Sequence, residues 1–304
     1  MMYVKFWGVR GSIPTPDPFN RIFGGNTSCV EVRTDTSLFI LDAGTGIRRL
    51  GSDLLNRGLD AINVNLLFSH PHWDHIQGFP FFTPAYIQGT TLNVYDAGSE
   101  HKMAELLSGQ MSSGYFPVNF LDLGANIQAR QLEEVNYTVD GVKVTYLKQL
   151  HPGGSFAFSL EYQGTKVVYA TDSEIDAHFQ AKDTPFDVDN NLQKMRPIPQ
   201  RYIDFMADAD LLIADAQYLE EEYPSRIGWG HPRATTVVDM AIQANVKRLA
   251  LFHHDPMETD DDVLRKLDIC RARALHHRCE LDIFAARELM ELKISQAIHL
   301  GGSL

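Results

Sequence analysis

The chain has 304 residues, 44% of them hydrophobic and 22% charged, enough to bury a large core. Its formal charge of −12 argues against a surface that grips long nucleic acid by its phosphates. A small anionic substrate stays open, because bound metal ions can dominate the local charge of a site.

The opening "MMYVKFWGVRGS" has no basic segment followed by a long apolar one, so it does not read as a signal peptide. No stretch reaches the roughly 18 apolar residues of a membrane span. Three cysteines, Cys29, Cys270 and Cys279, form no C-x-x-C pair. An odd count without that spacing fits a reducing cytoplasm rather than a disulfide framework.

In chain order, "YVKFWGV", "SCVEVRT" and "SLFILDAG" predict strands from alternation and β-branched content. "IRRLGSDLLNRG" has apolar residues at helical spacing and a closing glycine, which predicts a helix. "INVNLLFS" and "TLNVYDAG" predict strands around the segment "HPHWDHIQGF", and "SEHKMAELLSGQM" a helix started by its serine. "VKVTYLKQL", then "SFAFSLEYQG" with "TKVVYATD" as a hairpin, then "ADLLIADAQ" continue the strands. "ATTVVDMAIQAN" predicts a helix, "VKRLALFHH" a strand, and "TDDDVLRKLDICRARALHH" a helix capped by Thr259 with acids in its first turn. "RELMELKI" closes as a strand. Strands and helices alternate without a linker, so one domain, 1–304, of packed sheets with outer helices is expected. Residues 186–202, "FDVDNNLQKMRPIPQRY", are the one loop-like insertion, open as a lid, an inert surface loop or a dimer contact.

Four predicted strands end in metal-type ligands. The first end carries His70, His72, Asp74 and His75, and the others carry His151, Asp172, and the pair His253 and His254. A lone histidine is commonly a structural residue, and Asp172 alone could shape a turn. An H-x-H-x-D-H run is not explained by packing or solvation. Its two leading histidines point the same way only from an extended segment, so Asp74 and His75 come from the following turn. Imidazole and carboxylate without thiolate suit Zn²⁺, Mn²⁺ or Fe²⁺. Two such ions about 3.5–4 Å apart, sharing a carboxylate, would serve two-metal hydrolysis.

These motifs resemble those of metallo-β-lactamase-fold hydrolases, nearly end to end. The resemblance implies an α/β, four-layer αββα sandwich with the site at one edge. It implies that one ion takes His70, His72 and His151, the other Asp74, His75 and His253, and that Asp172 bridges. The residues alone leave His253 and His254 open; the pattern of the ribonuclease Z-like branch puts the ligand at His253. The segments "DLLIADAQY" and "RIGWGHPRATT" are similar to that branch's strand-end acid and G-H histidine, here Asp215 and His231. The pair implies a histidine that contacts the phosphate or protonates the leaving oxygen, and an acid that orients it. Pro232 and the shorter carboxylate depart from the branch's pattern.

The opening "FWGVRGSIPTP" and "FGGNTSCVEV" are similar to bacterial phosphodiesterase-like members, including those acting on cyclic nucleotides and cyclic phosphates. Asn26, Thr27 and Ser28 could face the site, and Arg10 is open as a phosphate binder or a structural ion pair. "LDAGTG" resembles the superfamily's supporting turn, with Asp42 either accepting from a ligand histidine or simply turning the chain. Nothing reads as the Gly-rich basic arm with which ribonuclease Z grips tRNA. The expectation is a metal-dependent phosphodiesterase for a small phosphodiester, with two divalent ions, Zn²⁺ foremost. A lactonase or thioesterase on the same site, and an RNA-processing nuclease, are the alternatives. A homodimer is expected only by analogy with the branch.

Overall fold

A computed structural model describes residues 1–59, 61–97, 102–132, 136–179 and 194–295. The first half of the chain builds one sheet from β1 (Met2–Gly8), β2 (Cys29–Arg33), β3 (Leu38–Leu41), β4 (Asn63–Leu67), β5 (Thr91–Asp96) and β6 (Asn126–Gln131). The second half builds another from β7 (Asn136–Val139), β8 (Val142–Gln149), β9 (Ser155–Tyr162), β10 (Thr165–Ala170), β11 (Leu211–Asp215), β12 (Arg248–Phe252) and β13 (Asp282–Ala285). β14 (Glu291–Ile294) then returns to the first sheet and pairs antiparallel with β1. The strand orders are β14-β1-β2-β3-β4-β5-β6 and β13-β12-β11-β10-β9-β8-β7.

Alternation along the strands sets the layers. In β11, Leu211 and Ile213 point at the facing sheet and share a buried cluster with Val4 and Phe39 of that sheet and with Phe158 and Phe252 of their own. Leu212 and Ala214 point the other way, into a core closed by α4 (Gln200–Met206), α5 (Ala234–Gln243) and α6 (Asp260–His276). On the far side of the first sheet, Ile40, Leu66 and Val94 pack with Ile47 and Leu50 of α1 (Ile47–Asn56) and Leu107 of α3 (Met103–Gln110). Three buried clusters between four layers give the αββα sandwich that the family resemblance implied.

The predicted elements fall within a residue or two of those found, with informative exceptions. The proposed serine start of the helix before Gln110 lies outside the described residues, and the described helix begins at Met103 behind Lys102. "RELMELKI" is strand only from Glu291, because Leu289 adopts φ +65° and turns the chain. Of the insertion 186–202, residues 186–193 lie outside the described residues, and 200–202 are not loop but the first turn of α4. The α6 cap is as expected: Thr259 accepts from the Asp262 N–H and Asp262 reaches back, a reciprocal capping box.

Candidate metal centre

The strands aim their ends at one edge. β3, β4 and β5 run parallel, as do β10, β11, β12 and β13. The carboxyl ends of parallel strands in layered α/β folds form the usual ligand crevice. His70 follows β4, His151 follows β8, Asp172 follows β10, Asp215 ends β11 and His253 follows β12. α2 (Trp73–Ile76) begins at His72 and turns Asp74 and His75 inward.

These side chains converge. Ligand atoms of His70, His72, His151 and Asp172 lie within 4.8 Å of one another, and so do those of Asp74, His75, Asp172 and His253. Asp172 is common to both sets. Its Oδ2 is 3.6 Å from His70 Nε2 and 3.7 Å from His151 Nε2. Its Oδ1 is 3.3 Å from Nε2 of both His75 and His253. His72 faces His151 through Nδ1, at 3.0 Å.

The chemistry of this donor set fits divalent cations. His70 Nε2 and His75 Nε2 are buried without a hydrogen-bond partner, an arrangement that costs about 1–3 kcal/mol per polar group unless something binds there. Burial, and then neighbouring His75, push His70 well below the usual histidine range, which keeps it in the neutral form that ligates. Burial likewise lowers His151. Burial pulls His253 down too, but Asp172, Asp74 and Asp215 outweigh it and bring the group up to about 9. Burial alone would raise Asp172, yet His253, His75 and His70 hold it well below the usual carboxylate range. Without an ion, protons on His75 and His253 balance the buried carboxylates; a dication would displace them.

Outer partners fix the rings of His70, His75, His151 and His253. His75 Nδ1 donates to Asp42 Oδ2 at 2.8 Å, leaving Nε2 free for a metal. Asp42 also accepts from the Ser69 N–H and hydroxyl and from the Tyr169 hydroxyl, each at 2.7 Å. Ser69 spends its proton on Asp42, so its oxygen accepts from His70 Nδ1 at 3.1 Å. His151 Nδ1 donates to the Gly230 carbonyl at 2.9 Å, and His253 Nδ1 to Gln217 Oε1 at 3.0 Å. Asp42, Asp172 and His253 all adopt positive φ, from 53° to 60°, so the backbone at three strand ends is strained where the ligands are presented.

The second constellation abuts the first. His231 Nδ1 lies 2.8 Å from Asp215 Oδ2 and 3.9 Å from Asp172 Oδ2. Its loop is held by Glu174, whose carboxylate accepts from the Gly228 and Gly230 N–H groups at 2.7 and 2.9 Å.

Several open readings close on geometry. His254 donates Nε2 to the Ala286 carbonyl at 2.9 Å, whereas His253 turns to Asp74, 3.1 Å away. Among the described residues, Arg10 pairs with backbone carbonyls rather than with a carboxylate. It is fully buried and donates to the carbonyls of Gly24, Asp255 and Glu258. Asn26 binds the Glu288 carboxylate, Thr27 accepts from Thr45 N–H and Ser28 approaches the Arg10 carbonyl, so all three serve the fold. Gln217, Ser69, Glu174, Tyr169 and Ser12, whose N–H donates to Asp74 Oδ2 at 2.7 Å, are supporting residues that motif reading did not find. Ser69, Glu174 and Gln217 lie within two residues of His70, Asp172 and Asp215, but nothing in the sequence marked them as supporting residues.

A family model described as the β-lactamase superfamily domain matches residues 38–189, which contain His70 to Asp172. The chain belongs to the β-lactamase superfamily. Within this superfamily it is a metallo-β-lactamase-fold member of the ribonuclease Z-like branch, where metal-dependent hydrolysis is the shared chemistry. It is 21% identical to the ribonuclease Z of Picrophilus torridus over 98% of this chain and 97% of that one. Among solved structures, it resembles the metallo-β-lactamase-fold protein YhfI of Bacillus subtilis (TM-score 0.65, 19% identity, 96% and 98% covered). It also resembles a diphosphatase of the PhnP family (TM-score 0.64, 15% identity, 97% and 98% covered). At those identities the structural likeness speaks for the fold. Among the described residues, no helix of this superfamily member is long and apolar enough to cross a membrane.

Proposed function

We propose that the protein is a metal-dependent phosphodiesterase that acts on a small phosphodiester, such as a cyclic nucleotide or cyclic phosphate. The observation that carries this reading is the Asp215–His231 pair beside the ligand cluster. The cluster alone would suit any hydrolase of the fold. A carboxylate-oriented histidine at its edge adds a proton donor suited to an alkoxide leaving group.

One ion would be held by His70, His72 and His151, the other by Asp74, His75 and His253, with Asp172 shared. Zn²⁺ suits this donor set, as do Mn²⁺ and Fe²⁺. When bound, such ions supply charge stabilisation at phosphorus and make water acidic enough to serve as nucleophile near neutral pH. Asp215 holds His231 with Nδ1 protonated and its ring fixed. His231 then gives a proton to the leaving oxygen. Asp74, held by the Ser12 N–H, is the acceptor for the proton of the attacking water. The buried setting strengthens these interactions, since little water competes.

The ribonuclease Z relatives, matched along nearly the whole chain, favour a second reading, a nuclease acting on folded RNA. The net charge of −12 weighs toward the small substrate. Incubating metal-loaded protein with cyclic nucleotides and with a folded tRNA precursor separates the two. Ring opening of a cyclic nucleotide with the RNA intact is the expected result; cleavage of the RNA alone reverses the choice.

A further inference from the structure

Gln217 is buried just beyond the end of β11, and both ends of its amide are engaged. Its Oε1 is 3.0 Å from His253 Nδ1. Its Nε2 donates to Asp255 Oδ2 at 3.2 Å and to the Tyr218 hydroxyl at 3.2 Å. The same Asp255 oxygen accepts from Arg226 Nη1 at 2.9 Å, while Oδ1 accepts from the Met257 N–H at 2.8 Å.

An amide is nearly symmetric in shape, so its neighbours decide which end is which. Both Asp255 oxygens accept, one from Arg226 and one from the Met257 N–H, so Asp255 selects the NH₂ end of Gln217. The oxygen must then face His253. That oxygen only accepts, so His253 carries its proton on Nδ1. Nε2 is then the atom offered to a metal, turned to Asp74 and Asp172, 3.1 and 3.3 Å away, where an ion would take the place of its proton. The other histidine of this ligand set, His75, leans instead on the carboxylate of Asp42. The segment carrying Asp255 does not need the Gln217 side chain to stay in place. Arg10 binds the Asp255 and Glu258 carbonyls, and Lys266 pairs with Glu258 at 2.7 Å while donating to the Gln217 backbone carbonyl.

We propose that Gln217, its amide sense dictated by Asp255, is the positioning residue that fixes the ring and tautomer of His253 for metal binding. The proposal rests on the two-metal reading of the site. It assigns a role to a residue that touches neither metal nor substrate.

The test is a Zn²⁺ titration in competition with a chromophoric chelator, read as ions bound and affinity, with the melting of metal-free protein alongside. Wild type is expected to hold two ions. Gln217→Leu should weaken one of them by about 10–100-fold, the usual effect of losing an outer partner, with the other ion unchanged. The exchange Gln217→Glu with Asp255→Asn keeps an acceptor for His253 and a donor beside it, and should recover most of that affinity. A merely structural role would give no recovery. Asp255→Ala leaves the acceptor present but free to flip, and should weaken the same ion by less. It also keeps the test decisive if the leucine variant does not fold. Wild-type affinity for both ions in Gln217→Leu, or wild-type affinity in Asp255→Ala, overturns the proposal. Wild-type protein holding fewer than two ions overturns the two-metal reading itself, and the proposal with it.

Discussion

Oδ2 of Asp215 and Nδ1 of His231 lie 2.8 Å apart, beside a ligand cluster that His231 itself need not join. The separation of roles gives a clear expectation. His231→Ala should bind metal as wild type does and lose about 10²–10⁴-fold in kcat on a phosphodiester, the range for a general acid. Metal content and turnover of the same preparation check it; full activity contradicts the role. A diester with a good leaving group, which needs no proton, should be the less affected substrate.

Asp172 touches both ligand sets, so its loss should be felt by both. Asp172→Ala is expected to hold fewer than two ions per chain, by elemental analysis after gel filtration. A variant that still carries two ions rules out the shared position.

Gly230 has φ +94°, and a Cβ there would lie 2.2 Å from His151 Nδ1, the atom that donates to the Gly230 carbonyl. Gly230→Ala is expected to cost about 1–3 kcal/mol through backbone strain and to displace His151. The expected signature is a lower thermal midpoint together with weaker metal binding. Gly11 is the analogous position at His253, where a Cβ would meet the ring at 2.4 Å.

The metal-free protein should show its charge balance in its pH dependence. Despite burial, the surrounding carboxylates hold His253 at about 9, above its usual 6.5. A raised histidine contributes stability that is full below the unfolded value and is lost as pH rises through the folded one. His75 is displaced in the same direction. The thermal midpoint of chelator-treated protein should therefore fall between about pH 6.5 and 9 through these groups. Metal-loaded protein, whose ions replace those protons, should fall less. A metal-free midpoint that rises across this window contradicts the assignment.

The convergent cluster was legible because four of its members sit in one six-residue run and the others follow strands, a spacing that packing does not produce. His253 over His254 was not decidable from alternation, since the chain leaves the strand there and takes φ +58°. Arg10 stayed open because a buried arginine and a phosphate-binding arginine look alike in sequence, and only the three carbonyls around it show how it is held. Gln217, Glu174 and Tyr169 act through partners that are distant in the chain, so no local pattern marks them. β6 was missed because it is a polar edge strand, largely exposed and without alternation, and β13 because it has only 4 residues.

The most direct measurement is hydrolysis of bis-p-nitrophenyl phosphate by metal-stripped protein reloaded with Zn²⁺ or Mn²⁺, beside an ester and a lactone. Metal-dependent release from the diester alone is the expected result. Release only from the ester or the lactone would leave the fold and metal centre standing and contradict a phosphodiesterase built on Asp215 and His231.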